Sequence, residues 1–167
     1  GDGDGDGDDL EISIPRRLIF TYKYNLHTRK EPEYLYKNVM NTTAKYKVAW
    51  NDQNVSVLFL DDSECLALIQ QVEPRLVEPF QHETYGAFKA DICRLVALYL
   101  YGGYYFDVDI EVIKPLLPKP PSQNNGIATS FITAWEAERQ EEERGFFQAI
   151  LFTTARHPII YEAIQSM

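Results

Sequence analysis

The paired glycine Gly102-Gly103 constrains the fold of this chain more than any other feature, because it separates two apolar stretches of different periodicity. Before it, Phe88, Ile92, Leu95, Val96 and Tyr99 recur at helical spacing and predict a core-facing helix from about Tyr85 to Tyr101. After it, Tyr104-Tyr105-Phe106-Asp107-Val108-Asp109-Ile110 reads as a strand. Gly102 suits the left-handed position after a helix, and Gly103 allows a sharp turn into the strand. On that strand Asp107 and Asp109 project from one face, while Phe106, Val108 and Ile110 face the opposite layer. The Cα atoms of the two acids are then roughly 6.5 to 7 Å apart. Two carboxylates so placed can bind one hard cation together with the oxygens of its ligand. The plain alternative is an edge strand with solvated acids that block aggregation.

The rest of the chain sets this stretch in an α/β layer. Ile14-Pro15-Arg16-Arg17-Leu18-Ile19-Phe20-Thr21-Tyr22 predicts the first strand of the domain, and residues 32–50 a helix with Leu35, Val39 and Tyr46 at helical spacing. Val55 to Leu60 is a strand-type run, and Asp61 or Asp62 can cap the helix that carries Leu66, Leu68 and Ile69. Pro74 and Pro79 bracket a loop or short turn. Beyond Asp109 the strand is expected to continue through Glu111-Val112-Ile113-Lys114 to Pro115, before a stiff loop holding Pro118, Pro120 and Pro121. Gly126 to Ile132 predicts another strand, and Trp135 to Arg144 a solvated helix or surface loop. Phe146, Phe147, Ile150 and Leu151 predict an apolar helix broken by Pro158, with a last helix from Ile159 to Ile164. Strand, helix, strand, helix is the order of an α/β fold.

Composition excludes several classes of function. With 167 residues, 45% hydrophobic, the chain can bury one core. A net charge of -9 with no Lys/Arg-rich block argues against nucleic acid as a partner. No apolar run reaches the length of a membrane span, and the acidic start does not fit a signal peptide. Residues 1–13 are expected to be a disordered tail rich in Gly and Asp, and 14–167 the folded core. Calcium binding by Asp2, Asp4, Asp6, Asp8 and Asp9 is the weaker alternative for that tail, since its glycines leave the ligands unfixed. Cys65 and Cys93 are read as buried free thiols ahead of a bridge. Asn41-Thr42-Thr43 and Asn54-Val55-Ser56 satisfy the N-glycosylation rule, which suits a secretory protein. His157, beside Pro158, is read as a capping or packing histidine ahead of a metal ligand.

Asp91 and Arg94 lie three apart on the helix that feeds the glycines and, taken alone, predict a local ion pair. Set at this distance before Tyr101-Gly102-Gly103-x-Tyr105-x-Asp107-x-Asp109, they give the chain a pattern that resembles the glycosyltransferases whose sugar-binding region contains the Asp-x-Asp motif, of the family 32 type. The resemblance covers about 14 to 114 and, more loosely, Phe146 to Ile160, where Arg156-His157-Pro158 stands in place of Gly-His-Pro. It implies a GT-A-like, Rossmann-like sandwich that binds a nucleotide sugar, incomplete at its C-terminal end. It also implies a Mn²⁺ ion, with Mg²⁺ as second choice, on the catalytic and metal-binding acids Asp107 and Asp109. Phe20, Thr21, Tyr22, Asp91, Arg94 and Asp107 would then bind the donor; Tyr105 would line the site or serve packing. The implied activity is retaining transfer of a hexose from guanosine diphosphate mannose or a uridine diphosphate hexose to a glycan or glycolipid, in the Golgi or another secretory lumen. The alternative is a nucleotide-sugar or glycan-binding module without catalysis.

Overall fold

Alternation along the first strand decides the layering. In the computed structural model, which describes residues 13–124, 128–135 and 146–167, β1 (Arg17–Thr21) sends Leu18 and Phe20 into one core and Ile19 into another. A strand buried on both faces needs a helical layer on each. After the single-turn α1 (Leu26–Arg29), α2 (Glu33–Trp50) covers the first face with Leu35, Val39, Tyr46 and Trp50. β2 (Ser56–Leu60) follows, and then α3 (Asp62–Val72). Of the two candidate caps, Asp61 is the one used: its carboxylate accepts from the Ser63 and Glu64 N–H groups while Glu64 accepts from the Asp61 N–H. The stretch predicted as a loop holds a 3-10 turn at Pro74–Leu76 and the short α4 (Val77–His82). α5 (Gly86–Tyr101) then leads through the glycine pair into β3 (Gly103–Phe106). β4 (Phe131–Trp135), β5 (Phe146–Thr153) and α6 (Pro158–Gln165) complete the described elements.

The five strands form one mixed sheet in the order β2-β1-β3-β5-β4. β1 pairs in parallel with β2 and β3, whereas β5 is antiparallel to β3 and β4. α3, α5 and α6 cover the second face, where Ile69, Leu95, Leu98, Ile160 and Ile164 surround Ile19, Tyr105 and Leu151. Leu95 and Val96 of α5 are buried as expected, but Phe88 sits at the helix start, 57% exposed, against the Tyr85 ring.

Four expectations are corrected. The run from Phe146 to Leu151 is a strand, because β5 lies inside the sheet with Leu151 in one core and Phe152 in the other. Such doubly buried strands lose the period-2 signal and mimic a helix face. The acidic strand ends at Phe106: Asp107 to Ile110 form a turn closed by the Ile110 N–H on the Asp107 carbonyl at 3.1 Å. Glu111 to Lys114 accordingly form no strand, and the segment crosses α2 instead. There Asn38 Nδ2, Lys45 Nζ and Tyr46 OH donate to the carbonyls of Val108, Val112 and Leu116, which satisfies backbone that has left the sheet. Fourth, Cys65 and Cys93 form a disulfide, since α3 and α5 pack side by side with the two Cα atoms 5.3 Å apart. Residues 1–12, 125–127 and 136–145 lie outside the described residues, and with them the Gly/Asp-rich tract, most of the acidic 135–144 stretch and part of the strand predicted over 126–132.

The disulfide closes a separation of 28 residues, for which chain-entropy arguments give about 3 to 4 kcal/mol of stabilisation. Replacing both cysteines by Ala is expected to lower stability by about that amount, read as a shift of the urea midpoint at unchanged slope. A midpoint within error of the parent would show that the bond constrains nothing.

Candidate functional site

Chain order places the site before any side chain is considered. From β1 the chain crosses to β2 on one side, and from β2 it returns through α3, α4 and α5 to β3 on the other side of β1. The direction of winding therefore reverses between β1 and β3, and the crevice beyond the carboxyl ends of these strands is where open α/β sheets take ligands. Thr21 and Tyr22 stand at the end of β1, and Asp107 follows the end of β3. α5, packed against this end of the sheet, contributes Asp91 and Arg94.

Thr21, Asp91, Arg94, Tyr105 and Asp107 form a connected polar network. Arg94 is 4% exposed, and a buried guanidinium requires partners. It has an ion pair with Asp91, a bond from Nε to the Ala90 carbonyl at 3.3 Å and a second carboxylate, Asp107, 3.8 Å from Nη1. Its Cζ also lies 5.2 Å from the centre of the Tyr105 ring. The local ion pair expected from spacing alone is thus present, but the same arginine also reaches the acidic turn. Tyr105 is fully buried and donates to Asp107 Oδ1 at 2.5 Å. That proton is committed to a carboxylate that can only accept, so the Thr21 hydroxyl, 3.1 Å away, donates to the Tyr105 oxygen. Burial, and then the Asp107 charge, push the Tyr105 phenol far above its ordinary value, which keeps it a donor throughout the neutral range. Asp91 is pushed up by burial and, to a lesser degree, by Asp107, with the Arg94 charge opposing both.

Thr21, Asp91, Arg94, Tyr105 and Asp107 thus gather at the crevice, Tyr22 stands at its edge with its ring against Tyr24, and Phe20 takes no part. The Phe20 ring is 1% exposed and packs against Phe59 and Phe106 on the α2 face, so its predicted place in a pocket is corrected to a place in the core. Tyr105 is a packing residue whose hydroxyl holds Asp107. Arg94, nearly sealed from solvent, holds the two acids in place, whereas the Asp91 and Asp107 side chains are each 29% exposed. Asp109 is exposed on the turn and has no hydrogen bond or ion pair among the described residues. His157 caps α6, its Nδ1 accepting from the Ile159 N–H.

Sequence reasoning missed one wall of the site. A cavity of about 430 Å³ runs from Thr21 and Tyr22 along the start of α5, lined also by Asp62, Phe80, Lys89 and the disulfide. Lys89 Nζ lies 2.7 Å from Asp62 Oδ2 and 4.8 Å from the centre of the Phe80 ring. Gly86, Lys89, Ala90 and Cys93 recur every three or four residues, which marks one helix face; that periodicity was the available signal, overshadowed by the larger apolar face.

Among the described residues no group of three or more His, Cys, Asp or Glu is placed to hold a metal. A small hard cation does not demand one: Mg²⁺ is commonly held by one or two carboxylates plus substrate phosphates and water. Asp109, exposed and free of partners among the described residues, and Asp107, partly exposed beside it, fit that donor set.

The family model described as "Glycosyltransferase sugar-binding region containing DXD motif" matches residues 20–131, well over half of the chain, with Asp107-Val108-Asp109 inside the match. Among solved structures the chain is similar to one titled "PaToxG Glycosyltransferase", with a TM-score of 0.53 and 16% identity over 91% of this chain and 59% of that one. At that identity the likeness is one of fold, and with the mixed five-stranded sheet it makes the architecture GT-A-like. The chain spans 59% of that relative's length. No curated protein sequence matches it.

Proposed function

Because the chain belongs to the family of glycosyltransferase sugar-binding regions containing the DXD motif, we propose that it binds a nucleotide-diphosphate sugar at the β1–β3 crevice and transfers the hexose to a glycan or glycolipid. The observation that carries the proposal is the placement of Arg94 between Asp91 and Asp107 at the switch point of the sheet. The activity is of the family 32 type, the hexose mannose or galactose, and the transfer retaining. In this reading the nucleoside occupies the cavity beside Tyr22, and the sugar and diphosphate extend toward Asp91 and the acidic turn. Asp107 and Asp109 would hold Mn²⁺, or Mg²⁺ in its place, both being ions suited to carboxylate oxygens. When bound, the cation supplies Lewis-acid stabilisation of the charge that grows on the departing diphosphate.

The chain's own residues do the rest. Arg94 and the Tyr105 hydroxyl fix Asp107 in one orientation, so its position is set before the donor arrives. Asp91, raised in pKa and partly open to the crevice, is placed to accept hydrogen bonds from donor hydroxyls. Asn54 is exposed on the turn before β2 and accessible to glycosylation, whereas the Asn41 sequon lies within α2 with Thr43 buried. The Cys65–Cys93 bond and the Asn54 sequon together support an oxidising secretory lumen, such as the Golgi. No helix among the described residues is long and apolar enough to cross a membrane.

A thermal-shift screen of nucleotide sugars with Mn²⁺ tests the proposal, since a ligand that binds only the folded state raises the melting temperature. One of guanosine diphosphate mannose or uridine diphosphate galactose is expected to shift the transition in Mn²⁺ and not in excess chelator, and to be hydrolysed or transferred. Shift without turnover in any metal would assign a binding module instead. No shift with any donor would refute the assignment of the crevice.

A further inference from the structure

At the opposite end of the sheet, about six residues back along β1 and so roughly 20 Å from Tyr22, lies a second cavity of about 470 Å³. It opens between the approach to β1, the end of α2 and the proline-rich segment after the acidic turn. Its volume is within the range of small-molecule sites. Among the described residues, the charged side chains that line it are Arg16 and Lys119, and no carboxylate lines it, although the chain carries a net charge of -9. Ile14, Trp50 and Leu117 supply apolar walls.

One buried side chain borders this space with its polar end unpaired among the described residues. Tyr104 is 2% exposed, its ring packed against Trp50 at 5.0 Å and Phe152 at 4.5 Å. Among the described residues its hydroxyl has no hydrogen-bond partner, yet no fully enclosed polar side-chain atom is left unsatisfied, so the hydroxyl must meet the cavity that Tyr104 lines. Burial pushes the phenol up to about 12 and the Arg16 charge pulls against that shift, which places a protonated donor and a cation at the same opening. A buried hydroxyl without a partner is costly unless water or a ligand completes it.

We propose that this cavity is a second binding site, separate from the crevice, for a sugar carrying one oxyanion, either a phosphate or a carboxylate. The oxyanion is met by Arg16 and Lys119, and the ring by the Trp50 wall and the Tyr104 hydroxyl. A pyranose suits such a lining because it presents an apolar C–H face and a hydroxyl edge. The proposal does not depend on donor chemistry at Asp107 and Asp109.

Trp50 provides the readout. The chain has two tryptophans, so Trp50 emission can be followed alone in a Trp135→Phe background. Glucose 6-phosphate or glucuronate is expected to change that emission saturably, with glucose and inorganic phosphate each at least tenfold weaker. Arg16→Gln and Lys119→Gln, both at exposed positions, are expected to weaken binding about tenfold each, and Tyr104→Phe, which keeps the ring packing, several-fold. Asp109→Asn is expected to leave it unchanged. Glucose binding as tightly as its phosphate would overturn the role of the two cations, and phosphate binding as tightly as the sugar phosphate would reduce the site to an anion patch. Loss of binding in Asp109→Asn would move the ligand to the crevice. Absence of any saturable change with both acidic sugars would refute the site, whatever the donor screen shows.

Discussion

Asp109→Asn is expected to reduce metal-dependent donor turnover by about 10³-fold while leaving stability within about 0.5 kcal/mol of the parent. The two effects separate because Asp109 is exposed and free of partners among the described residues, so no interaction of the fold is lost with its charge. A factor of 10³ corresponds to about 4 kcal/mol, within what a cation contributes to a departing diphosphate. Asp107→Asn is expected to lose turnover to the same degree and stability as well. Its carboxylate accepts the Tyr105 proton and neutralises part of the Arg94 charge. Asn can still accept from Tyr105 but leaves the buried guanidinium with one anion in place of two. That costs about 1 to 2 kcal/mol, at the low end for a buried pair because the Asp107 side chain is 29% exposed to solvent. Release of nucleoside diphosphate in Mn²⁺, read beside a urea melt of each variant, checks both halves. If Asp109→Asn kept metal-dependent donor binding intact, the acidic turn would not be the metal site.

The contrast between the two acids was not available in the sequence, where Asp107 and Asp109 appear as equivalent members of one strand face. What separates them is that β3 stops at Phe106: Asp107 still follows the alternation of the strand, behind Tyr105 and toward Arg94, while Asp109 lies on a turn. Signals confined to a few neighbouring residues were legible. A cap at Asp61 or Asp62, the span of α2, the first strand and the passage from α5 through the glycines to β3 all follow from periodicity and local chemistry. Features made by distant partners were not. β5 reads as a helix until β3 and β4 are seen on either side of it. The Cys65–Cys93 bond depends on how α3 and α5 lie together, which spacing does not encode. The bond between Thr21 and Tyr105 joins residues 84 apart. In the site, the residue types were legible and their division of labour was not: Arg94 and Tyr105 hold Asp107 in place, and Phe20 belongs to the core.

The glycine pair is the local signal with the largest consequence, and Gly102→Ala is expected to cost about 3 to 5 kcal/mol. Gly102 closes α5 by donating its N–H to the Leu98 carbonyl, as a residue after a helix does, but its φ of 59° is combined with a ψ of 174°. That pairing is not the left-handed helical conformation expected from sequence; it belongs to a region almost reserved for glycine. Space forbids a side chain as firmly as the torsion angles do. A Cβ on Gly102 would lie 2.5 Å from the Ala155 nitrogen and 2.9 Å from the Thr153 carbonyl oxygen, backbone atoms at and just beyond the end of β5. No rotamer change relieves such a contact, so either β5 or the start of β3 must move. Gly103, with φ of 128°, meets the Arg17 carbonyl at 2.7 Å in the same hypothetical test and is expected to behave alike. Gly86 supplies the control: a Cβ there meets nothing within 4 Å, and Gly86→Ala is expected to be neutral or to stabilise by up to about 1 kcal/mol. Because β3 delivers Asp107 three residues after its first pairing with β1 at Tyr104, a displaced β3 start is expected to carry the acidic turn with it. The melt of Gly102→Ala and its donor turnover should therefore fall together. A variant that lost stability and kept full turnover would show that the site is held by Arg94 and Tyr105 alone, independently of the strand that presents it.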